Sequence, residues 1–271
     1  MTEDQLYSAI LEKGTMLCVG LDPDYSRIPE CVRRGRSVSE ALVEFGRRIV
    51  DATSSSCVAY KPNLAFYEAY GLDGMKALDL TVGYIRDNCP GQFLIADAKR
   101  GDIGNTARMY ARSLFETFDF DAVTVSPYMG TETVLPFLDY KGKFAIVVAL
   151  SSNPSSADFQ TAVKDGKPLY RVVMEKMMEI STPGNMMFVV GATKAAKLKE
   201  IRSFCPDNFF LVPGVGAQGG SDREVIANGS NAKGGLLVNS SRAVLYASSG
   251  EDFAQAAASV AGATARYPLL P

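Results

Sequence analysis

The densest group of reactive side chains lies in Ile95-Ala-Asp-Ala-Lys-Arg-Gly-Asp-Ile103, where Asp97, Lys99 and Asp102 follow an apolar run. Asp97 and Lys99 stand two apart, so on a strand their side chains leave the same face. Charges at the end of an apolar strand are costly to bury without partners, which favours a chemical use for them. The plainer alternative is that Asp97 and Lys99 serve only each other while Asp102 caps the following helix. Lys61, in Tyr60-Lys-Pro-Asn63, ends another apolar run and extends the same line of alternating charges. A lysine flanked by carboxylates stays protonated, which suits a proton donor or electrostatic stabiliser better than a Schiff-base nucleophile. Snorkelling to solvent is the alternative use of so long a side chain.

The 271 residues include no histidine. That excludes Ser–His–Asp and Cys–His nucleophile systems and His-bound zinc, and leaves acid–base work to carboxylates, lysine, tyrosine or cysteine. A second motif, Val212-Pro-Gly-Val-Gly-Ala-Gln-Gly-Gly220, matches a dinucleotide fingerprint at Gly214, Gly216 and Gly219. The acid that such a site needs further on is missing, and Asn239 and Arg242 stand there instead. The motif therefore reads as a loop whose backbone N–H groups, with Gln218 and Arg242, grip a single phosphate. A tight turn without a ligand is the alternative. Asp22, in Gly-Leu-Asp-Pro-Asp24, either takes sugar hydroxyls or opens a turn. Thr193 reads as a helix cap, the polar stretch 151–167 as a lid, and the methionines of 174–178 as core.

These side chains need elements that bring them together. Short apolar runs recur at 16–21, 57–60, 93–96, 122–125, 144–150, 186–190, 209–212 and 235–238. Helical spacing fills 38–52, 75–88, 102–118, 169–180, 194–204, 221–228 and 251–266. Strands alternating with helices predict an α/β fold with a parallel sheet, and eight such units predict one (β/α)8 TIM-barrel domain over 1–271. Asp22, Lys61, Asn63, Asp97, Lys99 and Arg242 would then meet on the C-terminal rim. With 28 basic and 30 acidic residues the net charge is −2, which argues against a nucleic-acid partner. No signal-peptide core and no apolar run long enough for a membrane span is found, so no membrane partner is expected. Five cysteines without a CxxC pair suit a reducing, cytoplasmic setting.

Taken in order, Gly20-Leu-Asp22, Tyr60-Lys-Pro-Asn63, Ala96-Asp-Ala-Lys-Arg-Gly-Asp102, Val212-Pro-Gly-Val-Gly-Ala-Gln-Gly219 and Asn239-Ser-Ser-Arg242 resemble the orotidine 5′-phosphate decarboxylase family. The likeness is to its branch with longer chains, and it runs from residue 17 to about residue 247. It implies a barrel homodimer that converts orotidine 5′-monophosphate to UMP and CO2 without metal or organic cofactor. It further implies that Lys99 donates a proton to C6 of the pyrimidine, with Asp97 beside the substrate carboxylate and Lys61 in the same charge line. Asp22 would hold ribose hydroxyls, Ser152 the pyrimidine amide edge, and Gln218 and Arg242 the phosphate. Asp102 and Thr106 would complete the neighbouring subunit's site, and Asn63 matches the same branch. Two rivals remain. Mg-dependent sugar-phosphate lyases of the same barrel superfamily share the Asp-x-Lys-x-x-Asp pattern, but resemble one another in a metal-binding glutamate where this chain has Lys61. A non-catalytic nucleotide-binding protein is the other, although binding alone does not call for the charge line.

Overall fold

The computed structural model describes residues 1–192, 195–214 and 221–268. Its strands are β1 (Leu17–Leu21), β2 (Ala59–Pro62), β3 (Phe93–Arg100), β4 (Ala122–Val125), β5 (Phe144–Leu150), β6 (Val163–Lys164), β7 (Lys167–Pro168), β8 (Met186–Val190), β9 (Phe210–Pro213) and β10 (Leu236–Ser240). Eight of them form a closed parallel barrel in chain order, with β1 completing the ring between β2 and β10. The pair β6–β7 is a small antiparallel hairpin outside it. Strands covered on both faces read as continuous apolar runs, and every residue of β1, β2, β4, β8 and β10 is buried.

The helices bury one stripe each against the barrel. Val38–Thr53 begins at a capping box between Ser37 and Glu40 and buries Leu42, Phe45, Ile49 and Val50 at helical spacing. It packs beside Gly71–Asn88 on one side and Phe253–Ala263 on the other. Among the described residues no helix is long and apolar enough to cross a membrane.

Two expectations are corrected. The helix expected over 102–118 runs only over Gly104–Arg112, followed by a π-helical turn at Ser113–Thr117. Asp102 therefore does not cap it; Ile103 holds the N-cap position, without a side-chain bond. A helix at Glu3–Lys13, absent from the expected set, carries a Thr2–Gln5 capping box and ends on Gly14 in the left-handed conformation. Leu6 and Ile10 of this helix are buried, and Lys13 donates to the carbonyls of Ser54 and Cys57, so it covers the N-terminal end of the barrel.

Candidate active site

The opposite, C-terminal rim gathers the charges. Up to Ala96 the ladder between β3 and β4 is regular; it resumes only at Arg100, paired with Val125. Asp97, Ala98 and Lys99 thus oppose the single residue Thr124, a bulge that re-aims side chains as bulges beside active sites commonly do. Lys99 sits there at φ 45°, a left-handed conformation that a non-glycine residue adopts uncommonly. The two side chains do meet, as their spacing predicts, but through this bulge rather than through plain alternation.

Asp97 is the hub. Its Oδ2 accepts from Lys61 Nζ at 2.8 Å, and its Oδ1 accepts from Lys99 Nζ at 2.6 Å and from the Thr124 hydroxyl at 3.0 Å. The Lys61 side chain is 4% exposed and that of Asp97 10%, whereas Lys99 is 57% exposed. Burial by itself would raise the Asp97 carboxyl, but Lys61 and Lys99 outweigh it and hold the group far below the usual carboxylate range. Burial would likewise lower Lys61, yet the carboxylates of Asp22 and Asp97 push its ammonium above the ordinary lysine value. Lys61 is therefore a fixed cation, and of the two lysines Lys99 is the one that an incoming molecule can reach.

Asp22 follows β1 and is half-buried. Its Oδ1 is shielded from solvent and has no hydrogen-bond partner among the described residues. Tyr246 pins the surrounding loop: its hydroxyl accepts from the Asp24 N–H at 2.7 Å and donates to the Asp22 carbonyl at 3.2 Å. Asn63 bridges Asp97 through the backbone, and its Oδ1 accepts the Ala65 N–H, which ties that side chain to the turn after β2. Ser152 leaves β5 where the β8 exit presses close; a Cβ on Gly191 would lie 2.7 Å from the Ser152 Cα. The following loop is folded back by Gln160, whose Oε1 accepts the Ser151 N–H at 2.7 Å. Arg242 opens the short helix Arg242–Leu245 after β10 and is exposed.

Other expected residues stand apart or cannot be placed. Asp102 accepts the Ile103 N–H, and the ion pairs around Asp97 do not include it. Thr106 lies exposed on Gly104–Arg112. Gly216, Gln218, Gly219 and Thr193 fall outside the described residues, although the stretch that holds the glycine motif starts at the end of β9 on this same rim. Thr124, Tyr246 and Gln160 went unnoticed in the sequence. A threonine inside Ala-Val-Thr-Val reads as strand filler, and the other two carry no motif.

Among the described residues, no group of three or more His, Cys, Asp or Glu side chains is arranged to hold a metal ion. A divalent cation at Asp97 would meet an ammonium on each carboxylate oxygen.

Comparison with known proteins identifies the family of the chain. The model of the "Orotidine 5'-phosphate decarboxylase / HUMPS family" matches residues 15–257. An orotidine 5′-phosphate decarboxylase of Flavobacterium johnsoniae is 52% identical over 257 residues, covering 95% of this chain and 93% of its own. Its counterpart in Phocaeicola vulgatus is 51% identical over 258 residues, covering 95% and 94%. Among solved structures, an OMP decarboxylase of Leishmania donovani superposes with a TM-score of 0.81 at 33% identity, over 97% of this chain and 98% of that one. A putative orotidine-monophosphate decarboxylase of Toxoplasma gondii gives 0.81 at 36% identity, over 94% and 93%.

Proposed function

The chain belongs to the orotidine 5′-phosphate decarboxylase / HUMPS family, and from that membership we propose that Lys99, Asp97, Lys61 and the partner subunit's Asp102 carry out its reaction. The reaction is that of a carboxy-lyase of pyrimidine biosynthesis: orotidine 5′-monophosphate loses CO2 and becomes UMP. The observation that carries the assignment of roles is the Asp97 carboxylate, neutralised on one oxygen by a sealed ammonium and on the other by an open one.

Loss of CO2 leaves a lone pair at C6 in the plane of the ring, where the carbonyls cannot delocalise it. The site must stabilise localised charge without an electron sink, and enzymes on slow reactions lower barriers by up to about 23 kcal/mol. Lys99 supplies both the neighbouring positive charge and the proton that quenches C6. Lys61 and Asp97 hold that ammonium in place before the substrate arrives, so little reorganisation accompanies the transition state. Asp22, with its unpartnered oxygen, takes ribose hydroxyls, and Ser152 takes the pyrimidine amide edge. Arg242 and Gln218, with backbone N–H groups at Gly216 and Gly219, bind the phosphate. Charge-assisted contacts of the Arg242 kind contribute about 1.5–3 kcal/mol each. Held far from C6, the phosphate drives closure of the 151–167 lid, and that binding energy is then expressed in kcat.

A homodimer completes the site. Asp102 takes no part in the ion pairs of Asp97, and it and Thr106 lie at the helix Gly104–Arg112, which packs on Leu135–Leu138 and where Ile103, Met109 and Leu135 are exposed. Apolar side chains concentrated in this way mark an interaction face, and a second copy placed on it would receive both polar groups. Lys99→Ala should abolish turnover of orotidine 5′-monophosphate while UMP still binds, measured by the absorbance change on decarboxylation and by calorimetry. Turnover retained by that variant overturns the assignment. Full activity in chelator is expected, and a strict Mg2+ requirement would restore the sugar-phosphate lyase reading.

A further inference from the structure

The structure assigns a positioning role to Thr124 of β4: its hydroxyl links the Lys99 backbone to the Asp97 carboxylate and so fixes the proton donor against its counter-ion. This rests on the roles just given to Lys99 and Asp97. The bulge is what makes such a link necessary. Three residues of β3 pass one residue of β4, and the Lys99 N–H finds the Thr124 Oγ1 at 2.9 Å instead of a backbone carbonyl. The hydroxyl has one proton, and it goes to Asp97 Oδ1 at 3.0 Å, the same oxygen that holds Lys99 Nζ. One side chain thereby sets the backbone from which the lysine departs and the carboxylate on which it lands.

The rest of the turn is held from outside this pair. The Ser126 N–H donates to the Arg100 carbonyl at 2.7 Å, and the Arg100 guanidinium pairs with Glu68 while lying over the Tyr110 ring. Among the described residues, the N–H of Lys99, at φ 45°, finds only the Thr124 hydroxyl. Thr124 is 1% exposed, so losing its hydroxyl leaves the Lys99 N–H without its partner at a buried position. Without it the strained turn relaxes and the ammonium leaves its position. Misplacing a reacting group by about 1 Å costs on the order of 100-fold in rate.

The test compares Thr124→Ala with Thr124→Ser, because both lose the same methyl and differ only in the hydroxyl. The full-length protein is assayed with orotidine 5′-monophosphate. The expected kcat of T124A is about 10- to 100-fold below that of T124S, with KM within about threefold for both, the signature of a group that acts in the transition state. Thr124→Val, which keeps the shape and loses the hydroxyl, should follow T124A. Equal kcat in T124A and T124S overturns the proposal, as does a change confined to KM. Failure of the unsubstituted protein to decarboxylate this substrate would instead overturn the functional reading on which the proposal stands.

Discussion

At the scale of the residue, Asp97 couples the chemistry to stability through its proton. Lys61 and Lys99 hold its carboxyl below the ordinary range in the folded chain. In the unfolded chain it returns to about 3.9. A group depressed on folding contributes its full stabilisation above the unfolded value and loses it as the pH falls toward the folded one. Between pH 6 and pH 3 the parent protein should therefore lose about 1 kcal/mol more unfolding free energy than Asp97→Asn, read from urea titrations. Parallel losses in the two proteins would show that the carboxylate is not held by its lysines. The same residue explains why the motif was legible at all. An acid and a base two apart at the end of Phe93-Leu-Ile-Ala96 have no cheap structural use, so their types announce a site.

At the scale of the element, the strand exits have to approach closely for the rim to assemble. The Gly191 N–H donates to the Leu150 carbonyl at 2.8 Å, and the missing Cβ leaves room for the Ser152 backbone. Gly191→Ala should force those two exits apart, cost about 1–3 kcal/mol in urea unfolding and raise KM through Ser152. Unchanged stability and KM would mean that the exits can slide apart freely. The barrel strands were legible because runs such as Phe144–Leu150 are apolar throughout and separated by helical spacing. The bulge was not, since its cause is the register between β3 and β4, and one chain segment does not show what lies opposite it. Asp102 misled for a related reason: an acid before a helical pattern looks like a cap, yet the helix starts two residues later. The helix Glu3–Lys13 carried capping signals at both ends, but has no place in the strand–helix alternation that organised the rest.

At the scale of the whole molecule, the site is shared if the dimer is as proposed. Lys99→Ala and Asp102→Asn are each inactive on that view, but mixing them creates a dimer in which one site has both an intact Lys99 and the partner's Asp102. Co-refolded or exchanged subunits should recover decarboxylation that neither variant shows alone, while a mixture as inactive as its parts would confine each site to one chain. Ile103→Asp, on the exposed apolar surface, should shift sedimentation toward the monomer and lower activity with it. The unequal exposure of the two lysines bears on how the proton donor is renewed. A Lys99 that gives its proton to C6 ends each turnover as a neutral amine beside an ionised Asp97, and must be recharged before the next. Lys61 is buried behind the carboxylate, but Lys99 is more than half exposed, so on the proposed mechanism water can recharge it once UMP leaves. With Lys99 in the proposed role, the catalyst would be reset by solvent from the side on which the product leaves, and a chain without a single histidine would need no internal relay to do it.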